Sequence, residues 1–504
     1  MSQASDAAAR YARLDDAERC RAAGRILRDV RFSYVYRPDR YEHLLDKRLA
    51  LRPEQIPAWV YADIDDPERI PEQLRRDDQG GVQTQMLCGG RGAGKGHAGS
   101  SYYACELLAI PGFRLEILGP SFNISMGVDI KGESGIIKHI ASIDRTLIKK
   151  LDEVKNILYL VNGSIVFARS SEYPKSVEGE NYHALWVDEP AELSNQGGEN
   201  CIYRKRAEPG VRLTGPNGEP ARKLITGTPD EFSELILDID ESVERDPKRY
   251  AWSTLPTRAN IRNLDADVVE EMYERGSQEF VDAKLDGILL KQSSGALIGE
   301  ADFAKIRCAQ GDPRWINPEG CSIVTMAVDA NHSDDKKSDE FGILIGGLQD
   351  GKAAVFADAS IPGGPKSGGE RIIEALKAYP EIDEVCVEDD KSMIIELLEV
   401  VLRDNMQEIG RVIRIVPIPH GNKSKKMRAD PVAVEYQIQN VLHCPCPRTP
   451  DWALGRYEQQ WKIWNPKTAK KSPDRVDAGV YLVTRLLLRD PNPTTFFAAS
   501  DVTW

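Results

Sequence analysis

No stretch of this chain approaches the roughly 20 consecutive apolar residues that a membrane-spanning helix requires. The first residues, Met1 to Arg10, are polar and lack the apolar core of a secretory signal, so nothing marks the chain for export. Closely spaced cysteines are scarce as well. Of the nine present, only Cys444 and Cys446 are near neighbours, and a structural zinc site wants a second pair. A disulfide framework is not expected in so large a core, so reduced thiols are the reading. There is no excess of positive charge either: 66 Lys and Arg stand against 79 Asp and Glu, a net charge of −13. That balance argues against a protein that simply coats nucleic acid. It leaves room for local basic patches and for carboxylates gathered at metal sites.

What is present describes a globular chain: 504 residues, 41% hydrophobic and 29% charged, enough for two domains and connecting pieces. Residues 1–50 read as a charged helical lead carrying Tyr34, Tyr36 and Tyr41. Within 51–254, short apolar runs alternate with helical stretches. The runs are Gln83–Cys88, Leu115–Leu118, Ser164–Phe167, Ala184–Val187 and Lys223–Ile225, and the alternation implies an α/β domain with a largely parallel sheet. Residues 255–315, charged and with a helical segment near Asp265–Tyr273, read as a connector packed on that domain. A second α/β unit covers 316–490. Its expected strands are Ser322–Val328, Phe341–Leu348, Ala353–Phe356, Glu384–Val387 and Val412–Ile418, and Asp350-Gly351 signals a tight hairpin. Helices are expected over Gly369–Ala378, Met393–Arg403, 428–440 and 474–489. Residues 491–504 read as a tail.

The loop Gly89-Gly90-Arg91-Gly92-Ala93-Gly94-Lys95 follows an apolar strand and precedes a helix, the context a phosphate loop requires. Its glycines let the backbone curl so that amides face phosphate oxygens, and the helix start adds a positive dipole end. Lys95 would reach the β- and γ-phosphates of ATP. The usual loop ends in Lys-Ser or Lys-Thr, whose hydroxyl binds magnesium; here Gly96 stands in that position. The acid that completes such a site comes at the end of a second buried strand, as Asp188-Glu189. Asp188 suits the metal, and Glu189 suits polarising the attacking water. Thr226 and Thr228, after the next strand, suit sensing the γ-phosphate.

Three further acids stand out downstream. Asp329 ends the first strand of the second unit, Glu388 ends its fourth with Asp389 and Asp390 beside it, and Asp477 lies in the first turn of a late helix. Each alone also suits a strand end or a helix start. In a ribonuclease H-like sheet strands one and four are neighbours, so Asp329 and Glu388 would converge and the late helix would bring Asp477. Carboxylates gathered so closely repel unless cations lie between them, and two Mg²⁺ or Mn²⁺ ions there would serve phosphodiester hydrolysis. Asp339 is a possible extra ligand. Lys423, Lys425, Lys426 and Arg428, and Lys470 and Lys471, could meet DNA phosphates.

Taken in this order, the motifs resemble those of the large terminase subunit of tailed double-stranded DNA phages and gene transfer agents. The resemblance runs from about residue 80 to 489. It is carried by Gly89–Lys95, Gly132-Glu133-Ser134-Gly135, Asp188-Glu189, Thr226–Pro229, Asp329, Val387-Glu388, Lys426–Pro431 and Lys471–Ala478. It implies an N-terminal P-loop, ASCE-type ATPase domain with a parallel-rich sheet, followed by a ribonuclease H-like nuclease domain. It also implies ATP-driven movement of double-stranded DNA into a procapsid through its portal protein, and cutting of concatemeric DNA. The implied partners are a small terminase subunit and further copies of the chain in a ring, usually of five, at work in the host cytoplasm on the procapsid. Arg91 matches the family's loop arginine, and Gly96 departs from its hydroxyl. A helicase- or resolvase-like ATPase-nuclease would share both sites without any tie to packaging. A catalytically weak assembly protein would keep only their shape, and Gly96 is the only sequence feature that supports that reading.

Overall fold

Strands that are apolar on both faces need cover on both faces, which parallel sheets obtain by winding helices back between strands. The computed structural model describes residues 10–488 except 65, 76–80, 178–179, 195–200, 217, 232, 277, 292, 294, 330–339, 363–364, 389–391, 420–423 and 467–472. The chain divides into two units, Met1–Leu290 and Lys291–Trp504. The stretch 255–315 falls on both sides of that division.

The first unit is built on eight strands: β1 (Thr84–Gly89), β2 (Arg114–Gly119), β3 (Ile148–Asp152), β4 (Ile157–Leu160), β5 (Ile165–Ser170), β6 (Ala184–Asp188), β7 (Arg222–Gly227) and β8 (Tyr250–Leu255). Their order is β3-β4-β5-β2-β6-β7-β1-β8. From β5 to β8 every neighbouring pair is parallel, and β3 and β4 add an antiparallel edge. Strand β7 thus separates β1 from β6, the placement of an ASCE-type P-loop sheet. Strands β1 and β6 are buried along their whole length. Alternate side chains feed two apolar layers, Leu87 one and Met86 and Cys88 the other. The helical lead contributes α1 (Asp16–Arg31), whose buried residues Cys20, Ala23, Gly24 and Leu27 recur at helical spacing. It starts with a capping box formed by Asp15 and Glu18. All five apolar runs of this unit fall on strands. Strands β3, β4 and β8 fall outside those runs because every other residue or more is only part-buried or exposed, so their sequences are mixed.

The second unit carries β9 (Ile323–Asp329), β10 (Glu340–Gln349), β11 (Lys352–Asp358), β12 (Ile361–Pro362), β13 (Glu384–Glu388), β14 (Arg414–Ile418) and β15 (Val441–His443). The order is β14-β13-β9-β10-β11-β15, with β12 paired to β10. Strands β9, β10 and β11 run antiparallel in sequence, while β13 joins β9 and β14 joins β13 in parallel. That is the ribonuclease H-like arrangement. Asp350 and Gly351 close the β10–β11 hairpin with φ of 50° and 77°, the left-handed pair a primed two-residue turn demands. Among the described residues no helix is long and apolar enough to cross a membrane.

Several buried groups depart from the apolar pattern. Glu116, inside the central strand β2, is fully buried, and neither carboxylate oxygen has a hydrogen-bond partner among the described residues. Burial pushes its carboxyl from 4.5 up to about 8, with the Arg169 charge opposing the shift. The folded chain therefore keeps this proton between those two values while the unfolded chain loses it. The group's contribution to stability is fully present below the lower value and is lost as pH rises toward the upper one, at about 1.4 kcal/mol per pH unit. Glu116→Gln removes that slope. In urea unfolding series the variant should gain on the parent as pH rises from 5 to 8; parallel pH profiles for the two proteins would rule the assignment out.

Two candidate active sites

Strand β1 ends at Gly89 and hands the chain to a loop whose Gly92 and Gly94 hold φ of 76° and 86°, conformations that glycine adopts without strain. Helix α2 (Lys95–Ala109) then begins with no side-chain cap, so its first amides lack intrahelical partners and suit an anion. Lys95 Nζ donates to the Gly89 carbonyl at 3.0 Å, the Gly90 carbonyl at 3.2 Å and Thr228 Oγ1 at 3.1 Å. It stands 3.8 Å from a Glu189 carboxylate oxygen.

The parallel register sets Asp188 beside Thr226 and Cys88 beside Gly227, so three strand ends line up. Trp186 Nε1 donates to Thr226 Oγ1 at 2.8 Å, and that hydroxyl donates to Asp188 at 2.5 Å. Glu189 sits in the left-handed region, φ 48°. Its backbone amide donates to the Thr226 carbonyl at 2.8 Å, and its side chain accepts from the Thr228 amide at 3.2 Å. Burial, then the Glu189 charge, raises the Asp188 carboxyl well above the carboxylate range, against the pull of Thr226 and Lys95. The turn Thr226–Thr228, a weak signal in the sequence, is thus the hub that joins Lys95, Asp188 and Glu189. Arg91 and Gly92 are exposed, and Ala93 is buried.

Four residues not singled out in the sequence hold this loop through its carbonyls. Arg52 donates to Ala93 at 2.8 Å, Gln55 to Gly94 at 3.1 Å, Asn260 to Gly92 at 2.7 Å and Thr257 to Arg91 at 2.7 Å. Arg52 also donates to Asn260 Oδ1 at 2.8 Å, which joins the two flanking segments beneath the loop. No local pattern marks them, since they come from roughly 40 residues before and 165 after it.

In the second unit Asp329, Glu388 and Asp477 are 5%, 6% and 4% exposed. Val328 pairs with Val387 in parallel register, so Asp329 and Glu388 follow side by side. Asp477 arrives on α3 (Asp474–Val483), which lies across β9 and β10. Gly342 allows that approach: a Cβ there would lie 2.4 Å from the Asp474 carbonyl. Tyr481, one turn after Asp477, donates to Asp329 at 3.4 Å. Burial, then the charges of Asp329, Asp477 and Glu388, raises its phenol strongly, so all three acids converge on one ring.

Two basic residues expected at DNA face these acids. Lys425 Nζ is 2.6 Å from Asp477, and Arg428 pairs with Glu388. Lys426 pairs with Asp430 at 2.6 Å instead. Among the described residues no group of three His, Cys, Asp or Glu side chains is set to hold a metal ion directly. The donor set nonetheless fits a hard divalent cation: all oxygen, anionic, buried and already drawing two cationic side chains. Asp339, Asp389, Asp390, Lys423, Lys470 and Lys471 lie outside the described residues.

The two glycines flanking the first loop make a sharp test of its packing. A Cβ on Gly90 would lie 2.1 Å from the Leu285 carbonyl and 2.4 Å from Thr257 Oγ1, whereas one on Gly96 would meet nothing within 4 Å. Gly90→Ala should therefore lower stability by about 1–3 kcal/mol, and Gly96→Ala, at a helical position with open space, should leave it unchanged or raise it by up to about 1 kcal/mol. Equal melting of the two variants would contradict the packing described.

The family model described as terminase large subunit, T4likevirus-type, N-terminal, matches residues 86–305. No curated protein matches the chain. Among solved structures, the large terminase of the thermophilic bacteriophage D6E is similar at 12% identity over 86% of this chain and 98% of that chain, with a TM-score of 0.35. The HK97 bacteriophage large terminase is similar at 13% identity over 79% and 86%, with a TM-score of 0.46. The human cytomegalovirus terminase nuclease domain is similar at 11% identity over 37% and 93%, with a TM-score of 0.27. Residues 86–305 thus resemble the N-terminal part of phage terminase large subunits.

Proposed function

We propose that the chain is an ATP-driven motor for double-stranded DNA joined to a divalent-metal-dependent DNA endonuclease, used to fill a viral procapsid and to cut concatemeric DNA. The observation that carries the proposal is the pairing, in one chain, of a phosphate loop facing Asp188-Glu189 with a separate trio of buried carboxylates.

In the first unit the loop amides of Gly89–Gly96 and Lys95 would bind the phosphates of ATP. Asp188 would hold the waters of its Mg²⁺, and Glu189, oriented by the Thr228 amide, would accept the proton of the attacking water. Thr226 and Thr228 link that acid to Lys95, so a change at the γ-phosphate would be felt across three strand ends. Arg91, exposed on the loop, is free of the packing that holds Ala93 and suits contact with the nucleotide.

In the second unit Asp329, Glu388 and Asp477, with Asp339, would hold Mg²⁺ or Mn²⁺. A pair of such ions supplies an activated water and stabilises the leaving 3′-oxygen. Until cations bind, Lys425 and Arg428 compensate the acids; once released, both would meet the DNA backbone together with Lys423, Lys426, Lys470 and Lys471. The working partners would be the portal protein, a small terminase subunit and further copies of this chain, five in a ring, in the host cytoplasm.

The two activities should separate. Glu189→Gln should slow ATP hydrolysis by on the order of 100-fold or more while Mn²⁺-dependent nicking of plasmid DNA persists. Asp329→Ala should abolish nicking and leave ATP hydrolysis. Persistent nicking in Asp329→Ala would remove the nuclease assignment, and undiminished ATP turnover in Glu189→Gln would remove the other.

A further inference from the structure

The phosphate loop lacks its hydroxyl at Gly96, and the space a side chain would take there is open: a Cβ would meet nothing within 4 Å. A carboxylate that no motif marks acts on the same site. Asp129 is 2% exposed, and neither of its oxygens has a hydrogen-bond partner among the described residues. Burial, and after it the charges of Asp188 and Glu189, raises its carboxyl well above the carboxylate range. A buried carboxylate left without a partner is costly and is relieved by a proton, as at Glu116, or by a cation; Asp129 differs from Glu116 in lying under the charges of two acids suited to a metal.

The backbone around Asp129 is tied to the loop. The stretch Gly132-Glu133-Ser134-Gly135 folds back so tightly that a Cβ on Gly135 would lie 2.7 Å from the Ile130 carbonyl, and the Ile136 amide donates to the Asp129 carbonyl at 2.9 Å. Ser100 Oγ is within hydrogen-bond reach of the Ser134 carbonyl and lies 2.6 Å from the Gly96 carbonyl. One hydroxyl on α2 therefore bridges the turn that carries Asp129 to the residue that lacks the metal-binding group. The rings on that side, His97 and His139, are both held well below the usual imidazole range, first by burial, and add no positive charge.

We infer that Asp129 takes over the metal-positioning task of the missing loop hydroxyl, accepting hydrogen bonds from waters of the divalent cation that accompanies the nucleotide. The inference rests on the nucleotide reading of the first site.

The test is Mn²⁺ binding to the full chain, followed by electron paramagnetic resonance with the non-hydrolysable ATP analogue AMP-PNP. Asp129→Asn keeps the shape and removes the charge. It should weaken Mn²⁺ roughly tenfold, as loss of an outer-shell partner does, while AMP-PNP binding in EDTA is unchanged. Adding Gly96→Ser to that variant should restore the Mn²⁺ affinity, which a merely structural Asp129 would not allow. Gly96→Ser alone should tighten Mn²⁺ severalfold, and this holds the inference to account should Asp129→Asn fail to fold. AMP-PNP binding with unmoved Mn²⁺ affinity in Asp129→Asn, absence of rescue, or no effect of Gly96→Ser overturns this inference alone. A parent chain that binds no AMP-PNP overturns the nucleotide reading and the inference with it.

Discussion

An ionised carboxylate at the buried end of a strand is tolerated only when positive charge or hydrogen-bond donors reach it, and both units of this chain are arranged around that constraint. In the first, Asp188 takes the Thr226 hydroxyl, and Lys95 and the Thr228 amide approach Glu189. In the second, Asp477 takes Lys425, Glu388 takes Arg428 and Asp329 takes Tyr481. The sheets differ, one parallel through its centre and the other mixed, yet in each the register of adjacent strand ends builds the site: Asp188 beside Thr226 in the first, Asp329 beside Glu388 in the second. The positions of Asp188, Asp329 and Glu388 then follow from backbone pairing, which is far stiffer than any side chain.

The compensation differs between the sites. Lys95 belongs to the phosphate loop and also donates to the Gly89 and Gly90 carbonyls, so it is fixed in place beside Glu189 as a resident cation. Lys425 and Arg428 come from a separate helix, Lys425–Gln437, whose start is capped by Ser424. Spaced three apart, they share one face of that helix, while Lys426 turns aside to Asp430. Under the proposed function these two cations on two acids would give way to metal ions, whereas the loop lysine would stay.

Much of this was legible in the sequence, for physical reasons that also explain the rest. Lys95 and Asp188-Glu189 stand out because loop and strand-end chemistry is local: a glycine run after an apolar strand, and acids where an apolar strand stops. Asp329 and Glu388 are visible for the same reason, and Asp350-Gly351 because a primed turn needs left-handed residues. Arg52, Gln55, Thr257 and Asn260 were not visible, since each bonds a loop carbonyl across long sequence separations. The basic run at 423–428 shows its charge but not its direction, and Lys425 and Arg428 turn inward to the acids. Asp129 lies in a mixed stretch, Ile124–Ile130, just ahead of Gly132–Gly135, and becomes conspicuous only through its burial.

The central claim is that Asp329, Glu388 and Asp477 form one cation-binding pocket in which Lys425 and Arg428 stand in for metal. Anomalous diffraction from Mn²⁺-soaked crystals of the full chain tests it most directly. The account predicts density for manganese bounded by those three carboxylates, with the Lys425 ammonium withdrawn from Asp477. Soaked crystals with no manganese there, and with Lys425 still on Asp477, would contradict it.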